Sequence, residues 1–394
     1  MNTAIENIGY ENCCGCFGCY NICPKNAIRM VIDPMGFYKP RIDTQLCNDC
    51  GVCQKICPIS TAPLSAKEDN WLSFAAWSSD IKTRMMSSSG GAFQEIAKVI
   101  IDKGGIIFGV AWDDLFLPHH IQVDTVETLY CLAGSKYVQS RVGMTYNEVL
   151  KNALIGRKVL FSGLPCQTSA LINYLIYNNA NMENIYTVDL ICHGVNSLTV
   201  FESWLNYITN GKGINSITFR DKSSGWSNFN VVISYGKNEE GKEYKKVFHR
   251  DIFCWGYLYN LYLAKACYNC KFAKVPRASD ITLGDFWGVP AHLRDERGVS
   301  IVLINSMKGN ELISQTNGLV LNKVDISLAK KGNPRLCSGK YKQPRQRERI
   351  IKTVQDKGFD QAKRLIEREK IKIEIGRTLK IPFRILRKIP EIVR

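Results

Sequence analysis

The chain has 394 residues, of which 45% are hydrophobic and 22% charged, and this ordinary globular composition suggests about two or three domains. It contains no run of about 18 apolar residues. Its N-terminus also lacks the basic start and apolar stretch that are typical of secretory signals. We therefore expect a cytoplasmic protein without a transmembrane helix. The net charge of +16 is uneven, because residues 340–394 contain 18 Lys and Arg against 7 Asp and Glu.

Cysteine is unusually frequent near the N-terminus. Nine of the sixteen cysteines lie before residue 58, in tight groups. A disulfide scaffold would normally be a small secreted domain, and no export signal is present. Reduced thiolates that bind a metal therefore explain the cysteines better.

Two runs of cysteines repeat the same spacing. The segments from Cys13 to Pro24 and from Cys47 to Pro58 both contain C-x2-C-x2-C-x3-C-P, with an offset of 34 residues. In such runs three thiolates bind one [4Fe-4S] cluster, and the fourth, next to proline, binds the other. The pattern predicts the ligand sets Cys13, Cys16, Cys19 and Cys57 for one cluster, and Cys47, Cys50, Cys53 and Cys23 for the other. Zinc is the alternative, but it rarely uses two runs with this spacing.

The residues between the ligands have their own predicted roles. Gly15, Gly18 and Gly51 lie where the backbone crowds against inorganic sulfur, and we expect positive φ angles there. Cys14 lies inside the first run but off the spacing, and we interpret it as a bystander. The segment between the runs is predicted to form a strand, a turn at residues 33–36 and a second strand.

Residues from about 70 to 335 alternate between strand-like and helix-like segments, which indicates a mixed α/β domain. A polar stretch at residues 65–70 is interpreted as a linker to this body. No G-x-G-x-x-G follows a predicted strand, so the standard dinucleotide-binding fingerprint is absent.

Two short motifs in the body could bind an anion or a flavin. Residues 87–91, SSSGG, precede a predicted helix, and free backbone N–H groups at such a position bind anions. Residues 134–140, GSKYVQS, combine a cation, an aromatic ring and hydroxyl groups. Plain N-capping and a surface turn are the respective alternatives, and each is favoured when its motif is taken alone. Asp285, in a Gly-bounded aromatic turn, is either a ligand to a cofactor hydroxyl or a turn residue.

Four further cysteines lie at predicted strand or loop ends. Cys166 begins a helix after a buried strand, Cys192 ends a strand, and Cys267 and Cys270 form a C-x2-C pair. Strand ends of an open α/β sheet converge on one crevice, so these thiolates could bind a third cluster. Spacing alone leaves this open, because a single C-x2-C pair is a weak signal.

In their order along the chain, these body motifs resemble the β subunit of coenzyme F420-reducing hydrogenases and dehydrogenases, a family of iron-sulfur flavoproteins. The matching motifs are SSGG, GSKY, LPCQ, the cysteine of LICHG, and CYNC followed by SDITLGDFWG, over roughly residues 72–305. The N-terminal module resembles the dicluster ferredoxin domain fused to this body in many bacterial members. Chlorophyll-recycling reductases of plants are also similar.

The resemblance implies a fold class of α+β in three parts. These are a dicluster ferredoxin-like domain at 1–65, a mixed α/β flavin-binding domain at 70–335 and a basic helical tail at 336–394. It also implies FAD near residues of the two short motifs, namely Ser88, Ser89, Gly90, Gly91, Lys136 and Tyr137. It implies a third cluster on Cys166, Cys192, Cys267 and Cys270, with Cys131, Cys254 and Cys337 outside it. It does not identify a substrate.

The basic tail has apolar residues at helical spacing, including Ile350, Ile351, Val354, Leu365 and Ile366, then Leu379, Ile381, Phe383, Ile385, Leu386 and Ile389. Pro382 and Pro390 interrupt its last part. Three alternatives remain: docking on the body or a partner, contact with the inner face of an anionic membrane, or nucleic-acid binding. Nucleic acid is not expected, because no recognition motif accompanies the charge. A solvated helical face is a fourth interpretation.

These observations lead to one main hypothesis and two rivals. The main hypothesis is an iron-sulfur flavoenzyme that takes electrons from a ferredoxin-like donor and reduces a small-molecule substrate through FAD. His193, next to Cys192, is the candidate proton donor, although a purely structural hydrogen bond is the favoured interpretation of this residue. The rivals are a non-catalytic electron-transfer subunit of a larger complex and a redox-sensing protein associated with nucleic acid.

Overall fold

The computed structural model describes residues 3–63, 72–236 and 241–378. The predicted linker at 65–70 and the last apolar positions of the tail, from Leu379 to Ile389, lie outside these residues.

The helices are α1 Ala4–Ile8, α2 Gly18–Ile22, α3 Val52–Lys55, α4 Ile81–Met86, α5 Ala92–Asp102, α6 Val126–Leu129, α7 Thr145–Leu154, α8 Pro165–Tyr177, α9 Leu198–Thr209, α10 Ile252–Leu258, α11 Lys265–Tyr268, α12 Met307–Ser314, α13 Ile326–Gly332 and α14 Arg347–Thr378. The strands are β1 Ile28–Ile32, β2 Tyr38–Ile42, β3 Leu72–Ser78, β4 Ile106–Trp112, β5 Pro118–Val123, β6 Val159–Gly163, β7 Ile185–Leu190, β8 Ile214–Asp221, β9 Asn230–Tyr235, β10 Lys242–Val247, β11 Ile281–Asp285, β12 Ser300–Ile304 and β13 Leu319–Lys323.

The N-terminal module consists of short helices around a two-stranded sheet. Strands β1 and β2 pair antiparallel, with Ile28 opposite Ile42, as the sequence predicts. They are joined by a turn in which Gly36 has φ of 82° and its amide donates to the carbonyl of Asp33. Each cysteine run ends in a short helix, α2 or α3, that holds its third ligand. Both cysteine runs therefore belong to one small domain around this sheet.

The body is built on an eight-stranded mixed sheet with the order β13-β3-β12-β11-β7-β6-β4-β5. Its middle strands β11, β7, β6 and β4 are parallel, and antiparallel neighbours flank them. The central strands are mostly buried and apolar, as in VLFSG and SIVLI, because helices or loops cover both faces. The carboxyl ends of the parallel strands lie on one edge, where loops can converge on a crevice.

A second sheet of three antiparallel strands, β10-β9-β8, adds an aromatic layer to the core. Phe219 on β8 is buried and stacks on Trp204 of α9, with 6.1 Å between ring centroids. The next residue, Arg220, is directed to the crevice of the main sheet and bonds Asp285 at the end of β11. The second sheet thereby supplies part of the wall of that crevice.

The N-terminal module is packed against the body. The hydroxyl of Tyr146 in α7 lies 2.7 Å from the carbonyl oxygen of Cys16. The amide of Asn173 in α8 donates to the carbonyls of Ile56 and Thr61, at 3.2 and 2.7 Å. Apolar side chains of the module and the body also belong to one hydrophobic cluster. The cysteine runs are therefore held against the α7 and α8 side of the main sheet.

The first part of the basic tail docks on the body, which is one of the predicted alternatives. Helix α14 contacts α9 and α10, and Ile350 and Ile351 are fully buried. Gly358, with φ of 76°, interrupts the helix. Among the described residues, no helix is both long and apolar enough to cross a bilayer.

Candidate functional site

The eight module cysteines form two groups. Each group contains three cysteines of one run and the fourth cysteine of the other run. The inner set, Cys13, Cys16, Cys19 and Cys57, lines one small cavity, and the outer set, Cys23, Cys47, Cys50 and Cys53, lines another. In the described part of the chain, no three His, Cys, Asp or Glu side chains are placed to hold a single metal ion. Each set instead surrounds a space, as the ligands of a four-iron cube must.

Equivalent positions of the two runs have the same backbone conformation. Gly15 and Asp49 have φ of 64° and 59°, and Phe17 and Gly51 have φ of 66° and 70°. The expectation of positive φ is therefore right for Gly15 and Gly51 but wrong for Gly18, which begins helix α2. Gly18 is needed for close packing instead, because an added Cβ would lie 2.9 Å from the Cδ1 of Ile56.

The two sets differ in their exposure to solvent. In the inner set Cys13, Cys16 and Cys57 are buried, and Lys39 donates to the carbonyl of Cys13 at 2.6 Å. In the outer set Cys50 is exposed and Cys23 and Cys47 are half-buried. The outer set therefore lies at the protein surface, whereas the inner set is enclosed.

The four predicted body cysteines converge. This body set, Cys166, Cys192, Cys267 and Cys270, lines one cavity of about 60 Å³. Cys166 is the second residue of α8, Cys192 follows β7, and the other two lie in and just after α11. The predicted outsiders lie elsewhere: Cys131 and Cys337 are exposed and Cys254 is buried in α10.

The thiols of the body set are buried close to one another. Burial raises the pKa of the Cys192 thiol to about 12 and that of Cys267 to about 11, and neighbouring thiolates add to both shifts. Thiolates at such positions need a cationic partner, which iron would provide. Arg335 donates to the carbonyls of Cys192 and Cys267, both at 3.2 Å, and so fixes two of the three ligand loops.

Cys14, interpreted from the sequence as a bystander, contacts both cavities. It lines the cavity of the inner set and also that of the body set. Cys14 therefore lies between Cys16 of the inner set and Cys166 of the body set. No spacing rule could have shown this, because it depends on how the module docks on the body.

A larger cavity of about 390 Å³ occupies the crevice at the carboxyl ends of the parallel strands. This volume is within the usual range for small-molecule and cofactor sites. Of the six residues predicted near a flavin, five line it: Ser88, Ser89, Gly91, Lys136 and Tyr137. Gly90 does not, because it packs against β3 and β12, where a Cβ would lie 2.3 Å from the carbonyl oxygen of Ala76.

The two short motifs meet directly in this cavity. The hydroxyl of Ser88 accepts a hydrogen bond from the backbone amide of Ser135 at 2.7 Å. Gly91, with φ of 88°, precedes helix α5, whose first turn faces the cavity at Ala92, Phe93 and Gln94. The hydroxyl of Ser89 is already used, since it donates to the carbonyl of Val299. The helix start and the GSKY turn therefore form one wall.

Lys136 brings a cation to this wall. Its ammonium donates to the carbonyls of Cys131 and Ala133, at 3.3 and 2.9 Å, which leaves one N–H of the three. It lies deep among protein atoms, although solvent reaches it through the cavity. Burial lowers the pKa of Lys136 to about 7. An anionic ligand in the cavity would stabilise its charged form.

Several residues in and around this cavity were not named individually from the sequence, although the pattern of residues 219–229 is ambiguous between a cofactor-binding and a turn role. Arg220 forms a bidentate pair with Asp285, at 2.7 and 2.8 Å, and also donates to the hydroxyl of Tyr137 at 3.1 Å. The indole of Trp226 donates to Asp285 as well, at 3.0 Å. Asp285 thus binds protein groups, which agrees better with a structural role than with a cofactor ligand. Gln94 is buried, lines the cavity, and has no hydrogen-bond partner for either amide atom among the described residues.

His193 lies between the body set and the larger cavity. It follows Cys192 directly and lines the cavity. Its Nδ1 is 3.2 Å from the hydroxyl of Tyr341, and its buried Nε2 has no partner in the part of the chain that is described. Burial, together with the charge of Arg335, lowers the pKa of His193 to about 4. The ring is therefore neutral near pH 7.

Comparisons with known proteins agree with this geometry. The family model for the C terminus of the beta subunit of coenzyme F420 hydrogenase/dehydrogenase matches residues 156–325, and the model "4Fe-4S dicluster domain" matches residues 12–61. The resemblance inferred from the sequence motifs is thus confirmed. It follows that the N-terminal module is an iron-sulfur domain that carries [4Fe-4S] clusters.

Two known proteins align with parts of the chain. The F subunit of F(420)H(2) dehydrogenase from Methanosarcina mazei is 25% identical over 196 residues, which are 48% of this chain and 55% of that protein. The ferredoxin-type protein NapF from Haemophilus influenzae is 33% identical over 55 residues, 14% of this chain and 31% of that protein. The chain thus spans about half and about a third of the lengths of these relatives.

Among solved structures, a chain of the F420-reducing [NiFe] hydrogenase complex from Methanosarcina barkeri, from a xenon-derivatized form, has 18% sequence identity. The superposition has a TM-score of 0.47 and covers 69% of this chain and 90% of that chain.

Proposed function

Because the chain carries a 4Fe-4S dicluster domain and a region that matches the coenzyme F420 hydrogenase/dehydrogenase β subunit, we propose that it is an iron-sulfur flavoenzyme. It takes electrons from a ferredoxin-like donor and reduces a small-molecule substrate in the larger cavity. The observation that carries this proposal is the position of the body set. Its cavity adjoins the cavity of the inner set on one side and the larger cavity on the other.

The exposure of the three sets supports a path between the protein surface and the larger cavity. The outer set is at the surface, where Cys50 is exposed and a donor protein can approach. The inner set is enclosed and abuts the body set, and Cys192 lines both the body-set cavity and the larger cavity. When bound, clusters on these sets would pass single electrons, and FAD would accumulate two and deliver them together.

The chain's own residues bind and orient groups in the larger cavity. The start of α5 offers backbone N–H groups, and Lys136 offers a cation, and both attract an anionic group such as a phosphate. The Arg220–Asp285 pair fixes the hydroxyl of Tyr137 at the other side. The mouth of the cavity is partly apolar, with Leu258 and Trp287 exposed.

His193 is the residue that we propose to supply a proton to a reduced substrate, because it lines the cavity next to Cys192. Its Nδ1 lies 3.2 Å from the hydroxyl of Tyr341, and its Nε2 is buried. Tyr341 is half-buried and can receive a replacement proton from the outside. The neutral ring and the buried Nε2 agree equally well with a purely structural use of this residue.

The experiment is anaerobic purification and reconstitution of the full chain, followed by iron, sulfide and flavin analysis. We expect about twelve iron atoms and one non-covalent FAD per chain. Replacing the cysteines of both module sets should remove about eight of the iron atoms. Zinc instead of iron, or no FAD uptake, would contradict the proposal. A reduced protein that turns over no substrate without a partner would favour the alternative of an electron-transfer subunit in a larger complex, as the name of the dehydrogenase relative indicates for that protein.

A further inference from the structure

A thin wall separates the cavity of the inner set from the cavity of the body set. Among the described residues, only Cys14 and Ile59 line both cavities. Cys14 lines the first cavity together with Cys16 of the inner set and the second together with Cys166 of the body set. Cys14 is therefore a polar contact between the module and the body at the point where their ligand sets meet.

The position of Cys14 is fixed by the docked surface rather than left to a mobile loop. Gln139 of the body donates to the carbonyl of Cys14 at 3.2 Å and accepts from the backbone amide of Tyr38 at 2.9 Å. The next residue, Gly15, has φ of 64°, and a Cβ there would lie 2.4 Å from the Gln139 amide nitrogen. The loop consequently fits closely against the body, and the Cys14 side chain is held between the two sets.

We propose that Cys14 is a positioning residue that couples the inner set to the body set, an inference that rests on the proposed function. Cys14 lines both cavities but belongs to neither ligand set, so its thiol is a hydrogen-bond donor located between the two sets. Its thiol can donate a hydrogen bond to a ligand sulfur of either cluster. Such bonds stabilise the more negative, reduced state of a cluster and so raise its midpoint potential. No bond forms or breaks, and only an electron crosses.

The test compares midpoint potentials in the full, reconstituted chain by EPR-monitored redox titration. Cys14→Ala removes the donor and should shift the potentials of the inner-set and body-set clusters to more negative values. Cys14→Ser keeps a donor and should restore most of both shifts. The outer-set cluster does not touch Cys14 and is an internal reference whose potential should stay constant in every variant. Cys131→Ala, at an exposed cysteine, should change none of the three.

The possible outcomes separate this inference from the proposed function. Unchanged potentials in Cys14→Ala, with all clusters present, would overturn the role of Cys14 and leave the electron path intact. A shift that Cys14→Ser does not reduce would also overturn it, because packing rather than hydrogen bonding would then be the cause. A wild-type chain with about eight iron atoms would instead show that the body cluster of the proposed function does not exist. If the EPR signal of the body-set cluster is lost in Cys14→Ala but Cys14→Ser keeps all its clusters, the hydrogen-bond donor at position 14 is needed to hold that site together.

Discussion

The two halves of the N-terminal module have the same backbone and opposite surroundings. Residues 34 apart adopt matching conformations, as Phe17 and Gly51 do, although one is a bulky aromatic residue and the other is glycine. Phe17 is buried and packs edge-on against Tyr38, with 5.3 Å between ring centroids. Asp49 and Cys50 of the other half are exposed. Ligand spacing thus determines the backbone, and the neighbouring surface determines whether a set is enclosed.

This difference indicates how one duplicated unit serves two purposes. The half with the large apolar side chain docks on the body and brings its ligands close to a second site. In the other half the end of the run also contacts the body, but the polar loop at residues 48–50 stays at the surface. The body set has no such repeat, because its ligands come from three loops of one sheet edge.

The largest expected effect is the loss of a cluster from either half. Cys16→Ala and Cys50→Ala should each remove about four iron atoms per chain. Both should abolish reduction of the proposed FAD by a donor protein, since both interrupt the same proposed path. Only Cys16→Ala should also alter the EPR signal of the proposed body cluster, because the inner set adjoins the body set through Cys14. An equal change in that signal for Cys50→Ala would contradict the order of the sets.

A smaller effect is expected on stability at the equivalent positions Phe17 and Gly51. Phe17→Ala should lower the free energy of unfolding by about 3–5 kcal/mol, because it deletes a buried ring. Gly51→Ala introduces a Cβ at φ of 70° and should cost only about 1–2 kcal/mol. Chemical denaturation of the reconstituted variants measures both. Equal costs would show that burial of the Phe17 ring does not stabilise the module more than the glycine at position 51 does.

The sequence predicted the frame of the molecule and most of its candidate ligands. Strands such as β6 and β7 and helices such as α5 and α8 lie where periodicity placed them, because each buries a continuous apolar face. The exchange of Cys23 and Cys57 between the module cavities also agrees with the spacing rule. These features depend on local patterns, which a sequence displays directly.

The residues that were missed depend on contacts between distant segments. Arg220 meets Asp285 only because the second sheet packs against the edge of the main sheet, and nothing near either residue in the sequence indicates the pair. Cys14 gains its neighbours from the docking of the module, and Gln94 gains its position from the first turn of α5. The expectation for Gly18 was wrong for a related reason, because tight packing rather than backbone conformation requires the glycine.

The charge of Lys136 gives a prediction on pH. Its pKa of about 7 means that the ammonium is largely formed below pH 7 and lost above it in the flavin-free protein. An anionic cofactor favours the ammonium, so binding above pH 7 requires proton uptake. The Kd for FAD should therefore rise with pH above about 7, by at most about tenfold per unit, and be flat below it. Titration calorimetry or fluorescence quenching at several pH values measures this.

Two variants serve as controls for Lys136. Lys136→Arg keeps its charge throughout this range and should bind FAD with an affinity that does not fall with pH. Lys136→Met has no charge and should bind weakly at all pH values. A pH dependence that persists in Lys136→Met would assign the effect to another group. Because the ligand sets of the module need no such side chain, the same variants should retain the iron content of the two module sets.

The smallest effect is expected at Gln94, where the sign is more informative than the size. The amide of Gln94 is buried in the cavity wall without a partner among the described residues, which costs free energy in the flavin-free protein. Gln94→Leu removes that cost at similar volume, so the flavin-free protein should be equally or more stable. If the amide bonds the flavin, its loss should weaken binding by about 0.5–1.5 kcal/mol, or about two- to tenfold in Kd. Thermal denaturation without FAD and a binding titration with it measure the two effects. A flavin-free variant that is less stable than wild type would show that Gln94 serves the fold and not the cavity, since only a ligand-directed amide predicts opposite signs.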